Sequence, residues 1–340
     1  MRLWPARRPP AAESLNRLGA DRDVDVHTNG HVALAVGRPA PSRPLVNVVL
    51  FLLTCVTTLL AGTAFSGSPT FDAFRRSTAD LAWVLSGVPF AATLLGILVV
   101  HEFGHYFTAR RYGAVVSLPF FIPAPPIPFM AGTLGAIIRL RSPARNRNEM
   151  FDVAVAGPLA GLVVAVAAAW VGLSWSTLVP AVPQQVFGAS VLTQLLVWLH
   201  FGSLPDGLML FTHPMADAAW FGFFVTAINL LPAGQLDGGR IAYAIFGDRH
   251  GRIGRVTVLV LMILGLGAMA WGWLAGYSWL AVFFGLNWFV LAALIRFFVG
   301  FRAGPILDPA TPPTRGRRAL GVACLLLVVL MLPPVFILPG

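Results

Sequence analysis

Residues 82–107 of the chain read AWVLSGVPFAATLLGILVVHEFGHYF, an apolar run with His101, Glu102 and His105 near its end. The run is longer than the roughly 20 residues that an α-helix needs to cross a bilayer core. On such a helix His101 and His105 stand at positions i and i+4, so that both imidazoles lie on one face. The stretch therefore predicts a membrane-spanning helix that carries a reactive polar group.

The composition of the whole chain extends this prediction. Of the 340 residues, 57% are hydrophobic and only 11% are charged, whereas soluble domains carry about 25% charged residues. So few charges cannot cover a water-facing surface. The composition excludes a soluble enzyme, a disordered protein and, despite the net charge of +10, a nucleic-acid-binding module. Two cysteines are too few for a disulfide framework or a Cys-based metal site.

Seven apolar runs have about the length of a bilayer crossing. They cover residues 45–65, 82–107, 151–173, 215–232, 256–275, 279–299 and 319–338. We therefore predict an all-α polytopic membrane protein with about seven transmembrane helices. An eighth apolar stretch, 186–211, is interrupted by polar and helix-breaking residues, and we interpret it as interfacial or re-entrant.

The positions of the arginines predict the orientation of these helices. Arginines are concentrated in residues 1–44, 110–147, 240–255 and 302–318, whereas residues 174–216 contain none. Because cytoplasmic loops of membrane proteins are enriched in Arg and Lys, we expect the first four segments and the N-terminus in the cytoplasm.

Residues 113–142 break the helical pattern. The apolar segment contains five prolines that no helix could hold, at positions 119, 123, 125, 126 and 128. Beyond Gly132-Thr133-Leu134-Gly135, residues 136–141 alternate in the two-residue period of a strand. We predict a small membrane-associated β element at 115–141. Non-helical backbone at this depth is tolerated only against protein or water, so we expect it to line a wet cavity.

The two histidines of the 82–107 run are suited to hold a metal ion. Two neutral imidazoles at i and i+4 can bind one Zn²⁺, and Glu102 beside them can act as a base toward water. The alternative is a pair of core histidines, but burying three polar side chains without partners costs several kcal/mol. A catalytic zinc usually has a third protein ligand. Asp237 is the candidate because it lies at the same membrane depth, although it could instead cap a helix that starts near Gly238.

These motifs together resemble the site-2 protease family of intramembrane zinc metalloproteases. The segment His101-Glu-Phe-Gly-His105 matches the first motif of the family, and Asn229-Leu-Leu-Pro-Ala-Gly-Gln-Leu-Asp237-Gly matches the second. The similarity includes Gly132–Gly135 and Asp152–Gly161 and covers about 95–245. The branch without a PDZ domain is the most similar, because no soluble insert interrupts 142–320.

The resemblance implies an intramembrane zinc endopeptidase that lies in the lipid bilayer and cleaves a transmembrane helix of another protein near the cytoplasmic face. His101, His105 and Asp237 would bind one zinc ion per chain, and Glu102 would be the general base. No nucleic acid partner is expected, and the oligomeric state is left open. The expected location is a prokaryotic cell membrane.

We also predict how the chain is divided and which residues contact the substrate. The predicted divisions are a basic cytoplasmic tail at 1–44, a protease domain at 45–300 with its core at about 82–245, a cytoplasmic linker at 301–318 and a C-terminal transmembrane helix at 319–340. Expected substrate contacts are Asn229, Gly132, Thr133, Gly135 and Ile137. An edge strand at 134–141 could pair with unwound substrate by strand addition. The strand could instead be a structural lid, and Asn229 could instead bond to a neighbouring helix.

Two other functions compete with proteolysis. A transporter could use an intramembrane His/Asp cluster for metal ions or protons, but acidic residues are few and no repeat relates the two halves of the chain. A catalytically silent relative could bind membrane helices, but it would not need Glu102.

Overall fold

The computed structural model describes residues 44–65, 81–126, 131–181, 186–277, 281–334 and 337–338. The predicted tail at 1–44 lies outside these residues except for Pro44, and so does Pro128. The α-helices are α1 (Pro44–Gly62), α2 (Leu81–Ser86), α3 (Val88–Arg111), α4 (Arg147–Ser174), α5 (Val191–Phe201), α6 (Pro214–Asn229), α7 (Asp237–Phe246), α8 (His250–Leu274), α9 (Ala281–Leu294) and α10 (Arg315–Met331). The strands are β1 (Phe120–Pro123), β2 (Thr133–Ile137), β3 (Ala144–Asn146), β4 (Thr177–Pro180), β5 (Val186–Phe187), β6 (Leu208–Phe211), β7 (Ile306–Asp308) and β8 (Ile337–Leu338).

Five helical segments of the described chain are long and apolar enough to cross a membrane. They are Pro44–Phe65, Leu81–Arg111, Arg147–Ser174, Asp237–Leu274 and Val282–Val299. The other two predicted crossings correspond to α6 and α10, which have 16 and 17 residues. At 1.5 Å per residue these helices are about 24–26 Å long, slightly less than a hydrocarbon core of about 30 Å. The mostly helical membrane architecture is confirmed, whereas the number of seven crossings stays a prediction.

The stretch 186–211 does not form a spanning helix. Its helix α5 has only 11 residues, about 16 Å, which is half of a bilayer core. Ser190 caps this helix by accepting a hydrogen bond from the N–H of Thr193. The stretch ends in β6, which pairs with β4 in antiparallel register. This agrees with the interfacial or re-entrant interpretation.

Helices α3, α4 and α6 form the packed centre that holds the candidate site. Small residues let their backbones approach, as membrane helices require. A Cβ at Gly104 of α3 would lie 2.8 Å from the carbonyl oxygen of Ala156 in α4, and a Cβ at Gly172 of α4 would lie 2.5 Å from the nitrogen of Ala216 in α6. Larger side chains at either glycine would therefore push the helices apart.

The predicted β element is present, but its strands are shorter than the sequence pattern suggests. β1 and β2 pair in antiparallel register, with Phe120 opposite Ile137. We expected strand through residue 141, but β2 ends at Ile137, and only an isolated bridge joins Leu140 to Val116. The proline-containing segment upstream, which lies within the predicted element, forms strand β1. A proline at the end of an edge strand is compatible with pairing, since only one N–H is lost.

Candidate metal centre

Three side chains from two distant parts of the chain converge inside the helical centre. His101 and His105 come from α3, and Asp237 begins α7. The Nε2 atoms of the histidines are 3.2 Å apart, and Oδ2 of Asp237 lies 3.5 Å from Nε2 of His101 and 3.1 Å from Nε2 of His105. All three residues are buried. The three donor atoms could hold a metal ion.

These separations fit the geometry of zinc. Zn–N and Zn–O bonds of about 2.0–2.2 Å at tetrahedral angles place neighbouring ligand atoms about 3.3 Å apart. The three observed separations lie on both sides of that value. Two imidazoles and one carboxylate are also a donor set that leaves a fourth position for water or substrate, as catalytic zinc sites do. The residues therefore fit the metal that the sequence predicts.

The backbone of α4 sets the tautomer of His105. Its Nδ1 lies 2.7 Å from the carbonyl oxygen of Val153. A carbonyl oxygen can only accept, so the proton of the neutral ring must reside on Nδ1, which leaves the lone pair of Nε2 for a metal. Such a second contact orients the ring and raises its basicity as a ligand.

Two glycines of α4 make room for the two imidazoles. A Cβ at Gly157 would lie 2.2 Å from Nε2 of His105, and a Cβ at Gly161 would lie 3.1 Å from Cβ of His101. Gly157 and Gly161 form a Gly-x-x-x-Gly pair, a spacing that is typical of close helix packing in membranes. These glycines pack α4 against α3, and they contact the face of α3 that carries the two histidines.

Asp237 reaches the histidines because the chain breaks after α6. Leu236 occupies the N-cap position of α7 and makes no side-chain capping bond, so Asp237 stands inside the first turn. The proposed capping role near Gly238 is therefore wrong. Gly234 has a positive φ of 49°, and a Cβ at Gly238 would lie 1.9 Å from the carbonyl oxygen of Leu230. The two glycines allow the tight turn that brings α7 against α4, with Asp237 beside the two histidines.

Glu102 lies beside the three donor atoms and next to β2. Its Oε1 is 4.0 Å from Nε2 of His101, and the carboxyl group is buried. The backbone of Ile138, just beyond β2, lies near this carboxyl group, and β2 packs against α3. The end of the strand thus lies at the metal centre.

The remaining predicted site residues lie around this centre in different ways. Nδ2 of Asn229 is 3.4 Å from Nε2 of His101. Gly132 is packed against α1, and its carbonyl oxygen accepts a hydrogen bond from Oγ1 of Thr57. Thr133 is also engaged within the protein, because its hydroxyl donates to the carbonyl oxygen of Ile122. The side chain of Ile137, in contrast, is exposed.

The sequence analysis missed an ionic cluster near the end of α3. Nε and Nη2 of Arg317, in α10, each donate to a different carboxylate oxygen of Asp152 at 2.7 Å. The hydroxyl of Tyr112 donates to the same carboxylate, which raises the pKa of the phenol and keeps it protonated. Asp152 directly precedes Val153, the residue whose carbonyl oxygen orients the ring of His105. The arginine had been interpreted only as a topology signal, and no local spacing links it to Asp152.

The protein has the features of a membrane metallohydrolase. Two histidines and an aspartate surround a buried centre in a helical membrane bundle, and a glutamate lies beside them. The chain belongs to peptidase family M50, the family of the site-2 proteases. The sequence model of this family matches residues 89–270. This confirms the resemblance seen in the sequence.

Three curated relatives illustrate the similarity. Probable zinc metalloprotease EGY2, chloroplastic, of Oryza sativa subsp. indica is 33% identical over 262 residues, which are 75% of this chain and 44% of the relative. Probable zinc metalloprotease EGY1, chloroplastic, of Arabidopsis thaliana is 33% identical over 266 residues, 75% and 44% of the two chains. Probable zinc metallopeptidase EGY3, chloroplastic, of Arabidopsis thaliana is 30% identical over 301 residues, 82% and 48%.

The chain thus spans less than half the length of these relatives. Their names place these relatives in chloroplasts, so they give no support to the expected prokaryotic membrane.

Proposed function

We propose that this protein is an intramembrane zinc endopeptidase that cleaves a membrane-spanning segment of another protein. One observation carries the proposal: the three donor atoms of His101, His105 and Asp237 lie 3.1–3.5 Å apart in a buried site, with Glu102 beside them. Membership of a peptidase family supports hydrolysis rather than transport by this cluster.

Each residue of the centre has a distinct task in this proposal. His101, His105 and Asp237 hold one zinc ion, which supplies a Lewis acid that polarises the scissile carbonyl and lowers the pKa of water towards about 7. Glu102 takes a proton from the attacking water and delivers it to the leaving nitrogen. The Val153 carbonyl keeps His105 in the ligating tautomer. The amide of Asn229, which lies beside His101, binds the backbone of unwound substrate.

Strand β2 presents the substrate in this proposal. A peptide bond inside a helix is shielded and hydrogen-bonded, so the substrate must unwind, and its freed backbone groups need partners. In the described chain β2 pairs only with β1, which leaves its second edge without a strand. An extended substrate segment adds to that edge by main-chain hydrogen bonds. The packing of β2 against α3, with Ile138 near Glu102, supports this role for the strand edge.

Metal content and cleavage measured on the same variants test the assignment. We expect about one zinc per purified chain, and we expect His105→Ala and Asp237→Ala to lose metal and cleavage together. Glu102→Gln should keep the metal and lose cleavage by about 10²–10⁴-fold, the usual contribution of a general base. Near-stoichiometric zinc in a His101→Ala/His105→Ala variant would refute the ligand set.

Proteoliposomes distinguish the proposal from transport. The purified protein is reconstituted with a single-span reporter whose membrane helix contains an Asn-Gly pair, which lowers the cost of unwinding. Cleavage of the reporter without net movement of zinc or protons is expected. Ion movement that persists in Glu102→Gln, with an intact reporter, would favour the transporter.

A further inference from the structure

A cavity of about 410 Å³ adjoins the metal centre on the side where β2 ends. Its lining includes Ile137 and Ile138 at the end of the strand edge, and Val153, whose carbonyl contacts His105. Gln235 and Arg240, which lie on either side of Asp237 in the sequence, also line it. Substrate that is paired with β2 would leave the centre through this cavity.

The cavity has a strongly positive lining. Three arginines, Arg139, Arg141 and Arg240, line it together with a single carboxylate, that of Glu149. Glu149 is buried and already engaged, because its Oε2 accepts a hydrogen bond from the N–H of Arg145 and lies 3.9 Å from Nε of the same residue. Among the described residues that line the cavity, the three arginines therefore outnumber the one acidic residue.

One of these arginines connects the cavity directly to the reaction site. Nη1 of Arg240 lies 3.9 Å from Oδ1 of Asp237, and its side chain is 23% exposed. A carboxylate that enters the cavity would meet Arg240 within one side-chain length of the metal ligands. Guanidinium groups bind carboxylates with two parallel hydrogen bonds, which gives geometric selectivity as well as attraction.

We propose that this cavity is a specificity subsite that binds an acidic side chain of the substrate a few residues from the scissile bond, on the cytoplasmic side. The proposal rests on the proposed function and on the predicted orientation. A cavity of this volume is roughly 7 Å across, and an extended chain advances about 3.3 Å per residue, so the acidic residue lies about two to four residues from the cut.

Such a subsite would exclude most other membrane proteins. Cytoplasmic flanks of membrane helices are generally rich in Arg and Lys. A flank of that kind would place like charges against Arg139, Arg141 and Arg240. Selection against the common basic flank and for a rare acidic one is specificity by repulsion as well as by attraction.

A charge-swap experiment tests the subsite. Three versions of the single-span reporter carry Glu, Gln or Arg at successive positions in the cytoplasmic flank, and kcat/KM is measured with the zinc-loaded full-length protein. We expect the Glu reporter to be cleaved about fivefold to tenfold faster than the Gln reporter and the Arg reporter to be slowest. Arg139→Gln/Arg141→Gln should abolish the order, and Arg139→Glu/Arg141→Glu should reverse it. Arg318→Gln, which removes an exposed arginine elsewhere, should preserve it.

The control conditions separate this inference from its alternatives. Cleavage with no dependence on flank charge in the wild-type protein would show that the cavity only admits water, and it would overturn the subsite while leaving the protease function intact. A rate that rises when phosphatidylglycerol is added to phosphatidylcholine vesicles, with no effect of reporter charge, would assign the cavity to lipid headgroups instead. If zinc-loaded protein cleaves no reporter, the proposed function itself fails.

Discussion

The imidazole of His105 lies directly against the α-carbon of Gly157 in the neighbouring membrane helix, with no space for a side chain between them. A Cβ at position 157 would lie within 2.2–2.5 Å of three ring atoms. Glycine in a helix costs about 1 kcal/mol relative to alanine. Position 157 therefore accepts a weaker helix former because the metal-binding ring occupies the volume that a methyl group would need.

We predict that Gly157→Ala loses zinc while the helical structure is retained, because the methyl group displaces the ring of His105 from the other two donor atoms. Gly161→Ala should have a smaller effect, since its Cβ would lie 3.1 Å from the nearest atom of His101. Zinc per chain measured by mass spectrometry, together with circular dichroism, checks both. Gly96→Ala is the matched control, because nothing lies within 4 Å of its Cβ. Normal zinc in Gly157→Ala would contradict the packing argument.

The ionic cluster gives a second prediction. Arg317→Ala should destabilise the protein by roughly 1 kcal/mol, the value expected for a well-formed but partly exposed ion pair. Arg317→Lys should be intermediate, because an ammonium group keeps the charge but not the two-pronged geometry. Thermal unfolding in detergent measures the change, with Arg318→Gln as a control. Equal stability of Arg317→Ala and the control would show that the pair does not anchor α10.

Local spacing explains which parts of the site could be predicted from sequence. His101, Glu102 and His105 lie within a single helical turn, so their common face follows from the helical period alone. Asp237 is 132 residues from His105, and it was found because an acidic residue in an apolar region has few structural reasons to be there. The β element was recognisable because prolines exclude a helix.

The features that were missed depend on tertiary packing. Arg317 and Asp152 are 165 residues apart, and a bidentate pair over that separation leaves no periodic trace in the sequence. The position of Arg240 beside the metal centre depends on the turn at Gly234, whose positive φ is not encoded by hydrophobicity. The lengths of α6 and α10 were overestimated, because apolar residues continue beyond the point where the helices end.

The predicted orientation is tested with two exposed aspartates. Asp248 follows α7 in an arginine-rich segment, and Asp206 lies in the segment without arginine. In a chain with Cys55 and Cys324 replaced by serine, we expect Asp248→Cys to react with a membrane-impermeant maleimide only from the cytoplasmic side. Asp206→Cys should react only from the opposite side. Labelling of both positions from the same side would overturn the arrangement and the cytoplasmic placement of the site.

The side of β2 that is open to substrate follows from its bonds to the preceding segment. Both the N–H and the carbonyl of Arg139 bond to Ser117, on the β1 side of the element. Because these groups alternate sides along a strand, the N–H of Ile137 also faces β1, and those of Ala136 and Ile138 face the open edge. A proline at Ile137 would therefore disrupt the β1–β2 pairing, whereas a proline at Ala136 would remove only a free-edge donor.

We predict that Ala136→Pro lowers cleavage of the single-span reporter by at least about tenfold, because it removes one main-chain donor and obstructs the incoming strand. Zinc content should stay normal, since a proline whose missing N–H faces an open edge is tolerated in a strand. Ile137→Val should be nearly silent, because strand addition depends on main-chain bonds. The enzyme should also prefer reporters with Gly, Pro or Asn near the cut, since these residues reduce the cost of unwinding the helix. If zinc-loaded Ala136→Pro cleaves as fast as the wild-type protein, β2 is a structural lid, and another surface must hold the unwound substrate.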